Sequence, residues 1–152
     1  MKRRQPAGMM QTALEMLGRR DYTCHELEVR LSNKGHERPE VQEVLDRLKC
    51  WGYLNDRAVA RRAFDDCLKR RPRGRELLCH ELAARGIAER DIVEVIAAYS
   101  PQDEEEAAVS ALARLGINLP LDAGNKPRAW RALSRLGFTD RTIERICGLP
   151  DP

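Results

Sequence analysis

Two dipeptides place a thiol beside an imidazole, Cys24-His25 and Cys79-His80, and those are the side chains that hold zinc. Structural zinc needs four such ligands in short, paired spacings. Here the two pairs stand 55 residues apart, and Cys50, Cys67 and Cys147 are dispersed with no CxxC. The cysteines therefore read as small buried apolar side chains of a reducing compartment. No metal and no cofactor is expected. The chain contains no glycine-rich phosphate loop, no nucleophile elbow and no HExxH. Its many carboxylates read as solvated helix faces, so no catalytic residue is assigned and no enzyme is expected.

The densest chemistry in the chain is basic. Between Arg57 and Arg75 lie Arg57, Arg61, Arg62, Lys69, Arg70, Arg71, Arg73 and Arg75, opposed only by Asp65 and Asp66. A helix C-terminus would favour Lys69, Arg70 and Arg71, but that accounts for three charges of eight. Arg62 can pair with Asp65 at i, i+3, whereas Arg57 and Arg61 are like charges at i, i+4. "KRRPRGR" at 69–75 spreads five cations over a helix end, a turn and a helix start. All eight residues are candidates for a surface that binds a phosphate backbone or an acidic protein face. Arg70, Arg71, Arg73 and Arg75 are expected to be exposed there. In contrast, "DEEE" at 103–106 is wholly acidic.

The elements that position these charges repeat. "GHERPEVQEV" at 35–44, "GIAERDIVEV" at 86–95 and "GFTDRTIERI" at 137–146 begin with glycines 51 residues apart. Before each glycine, Leu27/Leu31, Leu78/Leu82 and Ala129/Leu133 form i, i+4 pairs, the apolar stripe of a helix that a glycine can end. After it, Val41/Val44, Ile92/Val95 and Ile143/Ile146 are i, i+3 pairs on a second helix. A further helix precedes each pair, at roughly 7–20, 55–71 and 101–115 by apolar periodicity. Thr23 with Glu26 makes a capping box. Asn55, Ser100 before Pro101, and Thr139 are further helix starts. The expected fold is all-α: three tandem three-helix repeats at 1–54, 55–99 and 100–152 forming an elongated, curved body, with a long internal loop at 116–127.

The bulk properties agree. Hydrophobic residues make up 42% and charged residues 34% of 152, with only seven aromatics, which suits aliphatic helical cores and not a β-rich fold. No apolar run approaches the ~20 residues that would cross a bilayer. The start is basic but lacks a secretion signal's apolar core. A cytoplasmic protein without membrane contact is expected. The last two helices of each repeat suggest a helix-turn-helix, but the would-be reading helices are acidic. Residues 37–50, 88–98 and 139–147 carry nine acids against six bases, which would repel a major groove. Sequence-specific DNA reading is not expected, and nonspecific backbone contact through 57–75 stays open.

"GYLND" at 52–56, "RGRELLCHELAARGI" at 73–87 and "RLGFTDRTIERI" at 135–146, in that order, resemble the RecX family of bacterial recombination regulators. The resemblance spans roughly 10–147. It implies three tandem three-helix repeats that bind the RecA filament along its helical groove. It implies inhibition of RecA's ATPase, strand-exchange and co-protease activities, hence a role in recombination, DNA repair and the SOS response, with some DNA binding. The expectation is a monomeric modulator that lodges in the groove and bridges filament protomers. The alternative is a nonspecific DNA-binding helical-repeat protein without filament specificity. Tyr53, within "GYLND", is a further residue that could touch a partner.

Overall fold

A computed structural model describes residues 6–148; the expected outer ends of the first and third repeats, 1–5 and 149–152, lie outside it. The described residues form nine helices and no strand: α1 (Pro6–Leu17), α2 (Cys24–Asn33), α3 (Arg38–Cys50), α4 (Asp56–Arg70), α5 (Arg75–Ala84), α6 (Glu89–Ala97), α7 (Pro101–Arg114), α8 (Lys126–Arg135) and α9 (Asp140–Cys147). Four of the starts, those of α2, α4, α7 and α9, lie where side chains accept otherwise unpaired N–H groups. Thr23 and Glu26 form a reciprocal capping box at α2, and Ser100 with Asp103 another at α7. Asn55 accepts from the Ala58 N–H and Thr139 from the Thr142 N–H.

Gly35, Gly86 and Gly137 follow the second helix of each trio with φ of 86°, 76° and 73°. In the latter two turns the chain closes back by a bond to the carbonyl of the leucine just inside the helix, Ile87 N–H to Leu82 at 3.3 Å and Phe138 N–H to Leu133 at 3.2 Å. Ile87 and Phe138 are buried beside the leucines they cap, the apolar contact that accompanies this helix end.

Three separate hydrophobic cores result. The first joins Met9, Ala13, Leu27, Leu31, Val41 and Leu48 of α1–α3. The second joins Ala60, Phe64, Leu78, Leu82, Val95 and Tyr99 of α4–α6 and the turn after it. The third joins Ala108, Leu112, Ala129, Leu133, Phe138 and Ile143 of α7–α9. The chain exposes 10129 Å² of surface, whereas a compact monomer of 17.3 kDa would expose about 7,800 Å². Cores in series, not one shared centre, account for the excess.

The joints between successive trios also repeat. At the first, the N–H of Cys24, first residue of α2, donates to Asp56 Oδ1 on α4 at 2.9 Å. At the second, the N–H of Arg75, first residue of α5, donates to Glu104 Oε1 on α7 at 2.8 Å. Thr23 Oγ donates to the Arg85 carbonyl at 3.3 Å; one repeat later, Gly74 N–H donates to the Leu136 carbonyl at 2.9 Å. Each joint thus seats the start of a second helix on the glycine turn of the following trio. A Cβ on Gly86 would lie 2.6 Å from the His25 ring, and one on Gly137 would lie 2.4 Å from both Cβ and N of Leu77. Gly35, in the first described trio, has nothing within 4 Å.

Candidate interaction surface

The eight candidate cations do not form one surface. Arg57, on the first turn of α4, pairs across to Glu94 of α6. Arg61 reaches Asp65 on its own helix at 3.8 Å. Arg62 pairs with Asp21, in the turn between α1 and α2, and so ties the first trio to the second. All three are exposed, and each spends charge on a carboxylate of this chain. Lys69, Arg70 and Arg71 stand exposed at the end of α4 and make no ion pair among the described residues.

The expected exposure of Arg73 and Arg75 is corrected by the structure. Both are partly buried. Arg73 pairs with Glu81, and its carbonyl accepts from Tyr99 Oη at 3.0 Å. The Arg75 guanidinium donates to the Ile96 carbonyl at 3.1 Å and to that of Tyr99, capping the end of α6. Its Cζ lies 5.8 Å from the centre of the Tyr99 ring. Burial, with the Glu104 carboxylate adding to it, raises the Tyr99 hydroxyl well above its ordinary value and keeps it a donor. These two arginines therefore lock the 71–75 turn onto α6, because a buried helix end needs donors for its free carbonyls.

Two cations that the local charge run missed complete the patch. Arg114, at the end of α7, donates to the Arg70 carbonyl at 3.4 Å. Arg128, on α8, donates to the Leu115 carbonyl at 3.4 Å. Both are exposed, and neither pairs with a described acid. Through these two contacts the exposed cations Lys69, Arg70 and Arg71 at the end of α4 join Arg114 and Arg128 across the second and third trios. Only the three-dimensional packing brings positions 70 and 114 together.

The acidic run divides. Asp103 caps α7 and Glu106 is exposed, but Glu104 is buried. Besides the Arg75 N–H it accepts from Thr139 Oγ at 3.0 Å and Thr142 Oγ at 2.9 Å. One carboxylate thereby holds the starts of α5 and α9 together, where the positive ends of helices favour an anion. Asp91, counted with the solvated acids of the third helices, is also buried, and its Oδ2 has no hydrogen-bond partner. The remaining outward acids of α3 and α6, among them Glu43, Asp46 and Glu94, are exposed.

The Cys-His pairs stay apart in chemistry as in sequence. Burial, reinforced by the Asp56 carboxylate, pushes the Cys24 thiol up to about 11, and burial raises Cys79 as well. Both thiols are poor metal ligands in the protonated form. Among the described residues no group of three or more His, Cys, Asp or Glu is arranged to hold a metal ion. No described helix is long and apolar enough to cross a membrane. Trp51 and Tyr53 are 57% and 58% exposed at the first joint, where Leu14, Leu17, Tyr22, Tyr53 and Val59 line a hollow of about 340 Å³.

Residues 10–48 match the family model for the first three-helix domain of RecX. The chain is 33% identical to the regulatory protein RecX of Pelodictyon phaeoclathratiforme over 94% of its own length and 91% of that protein's. It is 32% identical to the regulatory protein RecX of Bacillus subtilis over 84% of its length, spanning about half, 49%, of that longer protein. The crystal structure of RecX from Lactobacillus salivarius superposes with a TM-score of 0.83 at 17% identity, covering 93% of each chain. That last likeness concerns the fold.

Proposed function

The chain belongs to the RecX family of regulatory proteins, and from that premise we propose that it binds the filament RecA forms on DNA and inhibits its ATPase, strand-exchange and co-protease activities. The observation that carries the reading is the division of labour between core and surface. Three cores in series build a long scaffold, and an unpaired basic patch spans two of the trios. An extended body suits an extended partner. In this reading the chain divides into repeats at 1–54, 55–99 and 100–152. It works in the cytoplasm as a monomer and catalyses nothing itself. It lodges in the filament groove and bridges neighbouring protomers, restricting the motions coupled to ATP hydrolysis. Lys69, Arg70 and Arg71 keep the binding role assigned to the basic run, and Arg114 and Arg128 join them. Arg57, Arg61 and Arg62 contribute only where a partner displaces their carboxylates.

The second reading, a nonspecific DNA binder, draws on the same basic patch. The two differ in stoichiometry. A DNA binder slows RecA only by covering the lattice, and added DNA relieves it. A bridging protein acts on more subunits than it touches. The test adds this protein to preassembled RecA filaments on single-stranded DNA and follows ATP hydrolysis. Inhibition well below one molecule per RecA, unrelieved by excess DNA, is expected. Inhibition that tracks occupancy of free DNA would replace the first reading with the second.

A further inference from the structure

The reading above leaves open what the basic patch touches, and the inference here rests on that reading. We propose that the surface joining the ends of α4 and α7 receives an acidic protein segment carrying aliphatic side chains, and not a nucleic-acid backbone. Five cations line it, four of them arginines, whose planar forks match carboxylates two bonds at a time. Arg114 and Arg128 each spend one donor on a carbonyl of the patch, at Arg70 and Leu115, which leaves most of each fork facing solvent. Asp66, one turn back on α4, is exposed and makes no ion pair among the described residues, so five cations face a single nearby carboxylate.

The second observation is apolar. Leu115 is 46% exposed and Leu119 is 43% exposed, and both leave α7 at Arg114. Neither belongs to the third core. A phosphate backbone gives a leucine nothing to pack on, and surfaces that take single strands stack bases on aromatic side chains. The exposed aromatics of this chain, Trp51 and Tyr53, sit instead at the end of α3. Cations flanked by half-exposed leucines fit a segment that alternates carboxylates with aliphatic residues, the charges steering and the leucines anchoring.

The test uses the full chain, two fluorescent peptides of equal negative charge, and an oligothymidylate at physiological salt. One peptide carries glutamates with leucines at i and i+4, and the other carries serines in their place. The leucine peptide is expected to bind about tenfold more tightly than the serine peptide, the gain of burying only part of each of two side chains against half-exposed leucines. Arg70→Ala with Arg71→Ala should weaken both peptides. Leu115→Ser with Leu119→Ser should abolish the difference and leave the serine peptide unchanged. Should that double variant lose helicity, Leu119→Ser alone, in the loop, should still narrow the gap. Equal binding of the two peptides overturns the proposal. So does an oligothymidylate that binds more tightly than either and ignores the leucine substitutions, which makes the patch a phosphate surface. RecA ATPase measured on the same variants keeps the two readings apart. Inhibition by a protein that does not discriminate the peptides sinks only this inference, and discrimination without inhibition sinks only the filament reading.

Discussion

Alanine at the three turn glycines should cost very different amounts, although all three have positive φ. Gly35→Ala meets open space, so the cost is the backbone alone. A left-handed alanine costs about 1–2 kcal/mol, reduced by about 0.4–1 kcal/mol through the stiffer unfolded chain. The net is near 1 kcal/mol by that reckoning. Gly137→Ala adds a methyl carbon 2.4 Å from the Leu77 N and Cβ and 2.9 Å from its Cα. Backbone cannot swing aside, so the second joint must open. Forced overpacking adds about 1–3 kcal/mol, for a total of about 2–4 kcal/mol. At Gly86 the obstacle is the His25 ring, at 2.6 Å from its Cδ2. His25 is exposed and can rotate, so Gly86→Ala should fall between the two. The assay is urea unfolding followed by circular dichroism. Native-state hydrogen exchange of the Gly74 and Glu76 N–H groups, which donate to the Leu136 and Gly137 carbonyls, accompanies it. The Gly137 variant should expose those two amides selectively. If Gly35→Ala proves as costly as Gly137→Ala, the glycines matter only for their dihedral angles and the close joint is wrong.

The other expectations follow from the same contacts. Glu104→Ala should destabilise the chain by about 3–5 kcal/mol, since it strands several buried donors at two helix starts. Hydrogen exchange should locate the loss at α5 and α9, and an effect confined to α7 would refute the bridging role. Arg75→Ala should cost about 1.5–3 kcal/mol as a lost charged hydrogen-bond donor, whereas Arg70→Ala and Arg71→Ala should each stay within about 0.5 kcal/mol. Equal losses in urea titrations would return Arg75 to the exposed class. Cys50 is exposed while Cys24 is shielded and its thiol raised to about 11 from an ordinary 9.0, so iodoacetamide at mildly alkaline pH should label Cys50 first. Because folding raises the Cys24 value, its contribution is complete below about 9 and is lost as pH climbs through about 11. A melting temperature that rises over that interval would contradict the sign.

The repeat, the helix order and most caps were legible because they are local. Thr23, Asn55, Ser100 and Thr139 each satisfy donors within one turn, and a glycine after a leucine pair needs no distant information. What sequence reasoning missed lies in contacts between helices, where residues apart in sequence meet. Arg73 and Arg75 read as part of a charge run, yet their partners lie on α5 and α6. A signal for Arg75 and Glu104 was nonetheless present. Arg75 stands three and seven residues before Leu78 and Leu82, and Glu104 four, seven and eight before Ala108, Ala111 and Leu112, all buried. Each therefore occupies an apolar stripe at helical spacing. A charged residue on such a stripe must find partners or leave the core. In the first core Met9, four residues before Ala13, is likewise fully buried on the helical stripe, and Met10 packs against the edge.

The loop expected at 116–127 ends at Asn125, because Lys126 and Pro127 open α8, and it acquires a reason once the joints are compared. The second helix of the first trio receives a carboxylate from Asp56 of the following trio, and that of the second receives one from Glu104. For α8, the second helix of the third trio, the carboxylate comes from its own approach. Asp122 Oδ1 accepts the Asn125 N–H at 2.7 Å, and its carbonyl accepts that of Lys126 at 3.1 Å. An acid held at a helix start offsets the unpaired donors and the positive end of the dipole wherever it comes from. The break in the repeat thus supplies from within what the other two copies take from a neighbour. The same segment carries Leu115, whose carbonyl accepts from Arg128, and Leu119 four residues on, so the stretch that caps α8 also supplies the half-exposed leucines that follow Arg114. The scaffold's requirement at α8 and the chemistry of its surface are met by the same stretch of chain.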